Sequence, residues 1–352
     1  MKVWNFKPLD SCFFRGAKSF NQGEGGFLDS QFPPTAQTLA GVIRASIGDA
    51  KGVNWQKFRE NQQAEIASLI GKESDDAGKL SFAGPYIYKS GERLYPVPLH
   101  LLYSDKEQAW TRLKPSKSSY VTDMGKHRLP VPASNIEAAK PIEHGWLNAS
   151  DMNNVLQGDL PKSFIKESSL FSGETRVGIG RDNKTKQVED GMLYFTQHIR
   201  LGEDVSLAMS VEGVDDVIPA SMVRLGGEGR MAHLMIEEHQ NEPLNAKIEE
   251  DAKKFVLSLL THADFSGKSE PDIEGMTIVS ACIGKAVREG GWDYKKKQPK
   301  PLKSLIPAGS SYFVEFETND DVVNFLKQKR IGDRTAFGYG EVAVGIWNEG
   351  EK

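Results

Sequence analysis

The chain has 352 residues, 39% hydrophobic and 26% charged, the balance of a soluble globular protein with room for two modest domains or one large one. Its net charge of −4 argues against a protein that coats nucleic acid non-specifically, but leaves room for a local basic groove. No apolar run approaches the ~20 residues of a membrane span, and MKVWNFKPLD lacks the apolar core of a signal peptide, so a cytoplasmic protein with no membrane partner is expected.

KVWNFKPLDSCFF alternates near its start and predicts a strand; RGAKSFNQGEGGFLDSQ after it is a glycine-rich loop. Pro33 and Pro34 forbid helix before them, and Thr35 is placed to cap a helix with Ala36, Leu39, Ala40, Ile43 and Ile47 on one face and Gly48 as its stop. A polar helix and charged linker fill 49–80, and two strands flank a turn at Ser90-Gly91. From about 104 to 165 the pattern is poor, rich in Pro, Ser and Lys, and predicts a long irregular insertion.

A second organised unit begins near Ser168 with a hairpin whose turn lies at Asp182 to Lys186. VSLAMSVEGV is a strand, and AKIEEDAKKFVLSLLTHAD predicts an amphipathic helix with Ile248, Ala252, Phe255, Val256, Leu259 and Leu260 on one face. GMTIVSACIG and GSSYFVEFE are strands, NDDVVNFLKQKR is a helix with acids first and bases last, and EVAVGIW is the final strand. This order is the split βαβ, or ferredoxin-like, order. The expected class is therefore α+β: an N-terminal RRM-like domain over 1–165 that includes the 104–165 insertion, and a C-terminal one over 166–352 with a glycine-rich loop at 332–345.

That loop carries Gly338, Gly340 and Gly345, a G-x-G-x-x-x-x-G spacing. It does not fit a nucleotide cradle, because phosphate loops need a helix directly after them and only Ile346 to Lys352 remain. No H-E-x-x-H, C-x-x-C, Walker lysine or G-x-S-x-G occurs, and Cys12 and Cys282 fit no metal spacing; no metal, cofactor or catalytic residue is expected, and the two cysteines should be buried free thiols. A metal-independent ribonuclease would need a base near a ribose 2′-OH. His127, between Lys126 and Arg128, is the best-placed histidine for that, although an exposed histidine in a basic, backbone-positioning loop is the plainer reading.

The basic and glycine features are more informative together. Seven basic residues between Lys285 and Lys303, among them Lys295, Lys296 and Lys297, interleave with Trp292 and Tyr294 and suit single-stranded RNA; by composition alone they suit a solvated hairpin tip equally. RLGGEGR sets three glycines between Arg224 and Arg230, and ETRVGIGR, with Arg176 and Arg181, repeats the theme. Arg44, at the edge of its helix's apolar face, can reach over a neighbouring loop.

FFRGAKSF, PPTAQTLAGVIRASIG, FAGPYIY…YPVPLHLL, ETRVGIGRDNKT…DGMLYFTQHIRL, RLGGEGR, GGWD…IPAGSSYFVEF and AFGYGEVAVG occur in this order across nearly the whole chain. As an ordered set they resemble the RAMP-superfamily subunit of type III-B CRISPR effector complexes, the third protein of the Cmr module. The resemblance implies two RRM-like ferredoxin folds, a non-catalytic role, and binding of the crRNA 5′ tag. The implied partners are the large palm-domain subunit and a neighbouring RAMP backbone subunit, with target RNA met indirectly. The basic and glycine features and the resemblance together put Arg15, Lys18, Arg44, Lys126, Arg128, Arg176, Arg181, Arg230, Lys295, Lys296, Lys297, Gly338, Tyr339 and Gly340 at the RNA; the resemblance puts the glycine loop at the backbone, with the glycines close to phosphates and Tyr339 stacked on a base. The family's early motif commonly reads arginine, acid, glycine, basic; here it is Arg15, Gly16, Ala17, Lys18, so the acid is missing. The competing reading is a metal-independent endoribonuclease of the same superfamily that processes crRNA precursors.

Overall fold

A computed structural model describes residues 1–17, 27–122, 125–182, 184–185, 187–214, 217–238, 244, 246–249, 251–293 and 298–347. The opening strand β1 (Lys2–Pro8) buries Val3, Trp4 and Phe6. Helix α1 (Ala36–Ala50) starts where Thr35 Oγ1 accepts from the Thr38 amide at 3.2 Å, and it buries Leu39, Ala40, Ile43 and Ile47 as the spacing predicts. It runs past Gly48 to Ala50, with Lys51 as its C-cap. After a short helix α2 (Ala64–Ile70) comes β2 (Ser81–Lys89).

The segment expected to be irregular is not. It forms a long arm, β3 (Ala109–Thr122) against β4 (Gly125–Pro132), and a helix α3 (Ala149–Leu156) capped by Asn148. Pro115, Pro130 and Pro132 hide these strands in the sequence; proline is tolerated at edges and irregularities, and the register of this arm shifts between Pro115 and Ser119.

The hairpin follows as expected, β5 (Phe171–Arg181) with β6 (Val188–Leu201), then β7 (Val205–Glu212), a short β8 (Met222–Arg224) and β9 (Met231–Glu238). The helix expected over 246–264 is instead strand β10 (Lys254–Leu259), with Phe255 to Leu259 all buried. A run that is apolar but for Ser258, and buried on both faces, has no strand period, so pattern alone cannot separate it from a helix face. The chain closes with β11 (Met276–Cys282), β12 (Ser311–Phe316), α4 (Asn319–Gln328) under a Thr318/Asp321 capping box, and β13 (Val342–Ile346).

The result is a strand-rich α+β protein in two compact units whose segments alternate along the chain. The first holds 1–91, 168–239 and 288–303; the second holds 92–167, 240–287 and 304–352. In the first unit the strands lie in the order β2-β7-β1-β9-β8, antiparallel throughout. In the second they lie β11-β12-β10-β13, again antiparallel, around a core of Phe255, Leu257, Tyr312, Val314, Phe325 and Val344. Both cysteines are free and buried, and burial pushes each thiol up to about 12. No described helix is long and apolar enough to cross a membrane.

Candidate nucleic-acid interface

The antiparallel register of β5 and β6 sets Glu174 opposite His198, Arg176 opposite Thr196, and Ser172 opposite Arg200. Residues two apart on one strand, and direct partners across the pair, share a face. Glu174, Arg176, His198 and Arg200 therefore project together. Asp10, just after β1, and Arg230, just before β9, complete the group. Asp10 accepts from Arg176 Nη2 at 3.0 Å, Arg200 Nη2 at 2.8 Å and Arg230 Nη1 at 3.1 Å. Glu174 accepts from Arg176 Nε and Arg200 Nε, each at 2.8 Å. Three guanidiniums are thus tied to two carboxylates in a half-exposed position, and a third acid, Glu228 of the RLGGEGR turn, acts on His198 beside them.

The carboxylates are firmly ionised. Hydrogen bonds from Arg176 and then Arg200 hold Asp10 down to about 2, and those from Arg200 and then Arg176 depress Glu174. His198 is buried, its Nδ1 3.2 Å from Ser11 Oγ and its ring stacked on Phe13. Burial, reinforced by Arg230 and Arg176, lowers its pKa, so it is neutral at pH 7. His198 Nε2 and Arg230 Nε are buried with no hydrogen-bond partner among the described residues. The sequence singled out Arg176 and Arg230 but not Arg200 or Asp10. The signal for Arg200 was there: Thr196, His198 and Arg200 alternate on a strand, which puts them on one face.

The RLGGEGR turn serves this cluster. Leu225 and Arg230 close it, and the Gly227 amide donates to Phe13 O at 2.8 Å. Gly226 has φ +78°, and a Cβ there would lie 2.4 Å from Phe13 O. Glycine thus lets the turn lie against the Phe13–Phe14 backbone, which carries Arg230 to Asp10. Arg15, nearby in sequence, is exposed and its backbone bridges to Ser30.

The C-terminal glycine loop does something different from what the sequence suggested. Gly338 and Gly340 do have positive φ, +94° and +70°. Their amides, however, already donate to Thr335 O at 3.0 Å and His262 O at 2.9 Å, and the Gly338 carbonyl accepts from Thr261 Oγ1 at 2.7 Å. A Cβ on Gly340 would lie 1.8 Å from Ile331 O. The close approach that needs glycine is to the protein's own backbone. Tyr339 is only 2% exposed, and the Arg334 guanidinium lies 4.1 Å from its ring centroid while donating to the buried Asp264 at 2.8 Å. The ring expected to stack on a base is a core residue, because folding covers it on a face that composition cannot reveal.

Arg44 is likewise engaged. It donates to the carbonyls of Ile70, Gly71 (2.9 Å) and Glu73 (2.8 Å), capping the C-terminal end of α2. Arg128 donates to the carbonyls of Ser116 and Pro115 and lies 5.9 Å from the Trp347 ring centroid. Lys126 is exposed on β4, while His127 Nε2 sits 3.8 Å from Glu270. Lys18 and Lys295, Lys296 and Lys297 lie outside the described residues, as does the side chain of Arg181. No group of three metal-ligating side chains occurs among the described residues.

Chains with this fold occur in solved CRISPR assemblies. One in the cryo-EM structure of Type III-B Cmr-beta bound to cognate target RNA is 16% identical, with a TM-score of 0.54 over 97% of this chain and 96% of that one. Another, from the same complex bound to cognate target RNA and AMPPnP, is 16% identical with a TM-score of 0.50 over 94% and 89%. The chain belongs to the CRISPR-associated Cmr3 family (Cas_Cmr3), whose description it matches over residues 4–347. The CRISPR system CMR subunit Cmr3 of Saccharolobus solfataricus is 20% identical over 97% of this chain and 98% of its own length.

Proposed function

We propose that this chain is a non-catalytic RNA-binding subunit of a type III-B CRISPR complex in antiviral defence. In this reading it holds the 5′ tag of the crRNA and docks the large palm-domain subunit and a neighbouring RAMP backbone subunit, meeting target RNA only indirectly. The observation that carries the RNA part is the Arg176–Arg200–Arg230 cluster: three guanidiniums brought together by Asp10 and Glu174, each part-exposed to solvent. Guanidinium forks match phosphate oxygens, and such contacts position an RNA backbone without reading its sequence. Membership of the Cmr3 family supports the choice of RNA over other polyanions.

We read both units as ferredoxin-like. In each, the first to fourth strands of the motif lie in the spatial order 2-3-1-4, as that fold requires. The first unit keeps the helix between strands one and two, α1; the second keeps the helix between three and four, α4.

The endoribonuclease reading draws on one observation, the His127–Glu270 pair, because a carboxylate can orient a general base. The test of the main reading is assembly. With the other complex subunits and crRNA, an Arg176→Ala/Arg200→Ala variant should assemble yet retain less crRNA, and its binding should lose about one unit of salt dependence per phosphate contact removed. Full crRNA retention with an unchanged salt slope would sink the assignment.

A further inference from the structure

β5 lies at the edge of its three-stranded sheet, with β6 between it and the short strand Phe27–Leu28. Just before β5 the Gly202 amide donates to Leu170 O at 2.8 Å. Bonded and non-bonded pairs alternate along an antiparallel ladder, so in the register that follows, the even-numbered residues of β5 bond to β6. The amides and carbonyls of Phe171, Gly173, Thr175, Val177 and Ile179 therefore point to the open edge. Proteins usually guard such an edge with lysine, proline or a bulge. FSGETRVGIGR contains neither lysine nor proline, and its register is regular from Phe171 to Ile179.

The strand is also complementary to itself. Outward residues must face outward residues, so two such edges can slide past each other only in steps of two residues. Centred on Thr175, the antiparallel register sets Glu174 opposite the second copy's Arg176, and Arg176 opposite its Glu174. Both side chains keep enough exposure to be reached, 33% for Glu174 and 30% for Arg176. On the other face Val177 meets Gly173, large against small, and Ile179 meets Phe171, apolar against apolar. Val177 and Ile179 are 62% and 50% exposed in the single chain. A slide of one step in one direction sets Glu174 against Glu174, and in the other Arg176 against Arg176; like charges directly opposite are destabilising.

We propose that two copies of this chain pair through β5, as an antiparallel two-fold dimer centred on Thr175, with their three-stranded sheets continuing as one. The occupant of the edge is a second copy rather than an arbitrary strand, because a single register satisfies hydrogen bonding, charge and side-chain size together. A two-fold interface has to be self-complementary, as this strand is. The dimer is independent of the RNA reading, and it sets the two Asp10-centred clusters on the same sheet face.

Sedimentation equilibrium of the full chain across the micromolar range tests this, and a monomer–dimer equilibrium is expected. Thr175→Pro removes an outward N–H at a position where an edge strand tolerates proline. It should leave the circular dichroism unchanged and raise the dimer dissociation constant roughly ten- to a hundredfold, the loss of one hydrogen bond per copy. Should that variant not fold, cysteine pairing decides. The two Thr175 Cα atoms of the dimer would lie about 5.5 Å apart, within the span of a disulfide. Thr175→Cys should therefore cross-link under mild oxidation, and Val177→Cys, which faces Gly173, should not; Cys12 and Cys282 are buried and stay silent. A monomer at every concentration, a dimer indifferent to Thr175→Pro, or cross-linking through Val177→Cys as readily as through Thr175→Cys overturns the proposal.

Discussion

Asp10 is a carboxylate at the centre of a site proposed to bind a polyanion, and two arguments about it point in opposite directions. By charge alone, Asp10→Asn adds one positive charge and should tighten RNA binding. By geometry, an asparagine has one acceptor oxygen where Asp10 ties three guanidiniums, so Arg230 is no longer held to Arg176 and Arg200, which Glu174 alone then keeps. We expect geometry to win, because a phosphate needs donors converging at hydrogen-bond distance. Asp10→Asn should therefore lower crRNA retention in the assembled complex; tighter retention would show that Asp10 merely masks the arginines. The same residue sets a pH dependence. Its pKa falls from 3.8 to about 2 on folding, so its contribution to stability is complete above about 4 and is lost as pH drops through about 2. Acid unfolding of Asp10→Asn, followed by circular dichroism, should be flatter than that of the parent across this window. Gly340 gives a different kind of test. A side chain there meets Ile331 O in a left-handed backbone, so Gly340→Val should cost more than about 1 kcal/mol and lower the Tm whether or not RNA is nearby. Loss of RNA in that variant would follow from damaged folding and would say nothing about contact.

Among the elements, α2 shows how a cation can read as a ligand and act as a cap. Arg44 meets the carbonyls that end this short helix, and burial lowers its pKa, so its removal leaves acceptors without partners. Arg44→Met should destabilise the chain by about 1–3 kcal/mol, visible as a shift in urea midpoint, with crRNA retention in the folded complex unchanged. A loss of RNA from a normally stable variant would return Arg44 to the interface. The β3–β4 arm and β10 make the complementary point. Prolines and serines hid the first, and a buried, largely apolar run without strand alternation disguised the second as a helix. By contrast α1 and α4 were legible because each carries its own local signal, the Thr35 cap and one apolar face for α1, acids first and bases last for α4.

For the whole molecule, net charge and assembly govern behaviour. A chain of net charge −4 should bind random RNA weakly by itself, because phosphate neutralisation supplies most non-specific affinity. Filter binding at physiological salt should find no micromolar complex for the isolated chain; a tight one would mean that the basic strip over 285–303 acts independently. The absence of catalysis is a separate expectation. The pure chain should leave repeat RNA intact with or without Mg²⁺, and site-specific cleavage that disappears in His127→Ala would favour the endoribonuclease reading. What the sequence by itself determined are the features encoded locally: helix caps, strand alternation, the hairpin at 171–201, and an ordered set of motifs sufficient for the family. What only tertiary structure decided is which partners those residues meet. Arg176 and Arg230 come together, joined by Arg200 and Asp10, because strand register and the RLGGEGR turn bring distant segments to one face. Arg44, Tyr339 and Gly340 turn inward because neighbouring backbone and side chains occupy the space around them. The alternation of the two units along the chain is likewise invisible locally, since it depends on which strands, far apart in sequence, find one another by burying their apolar faces.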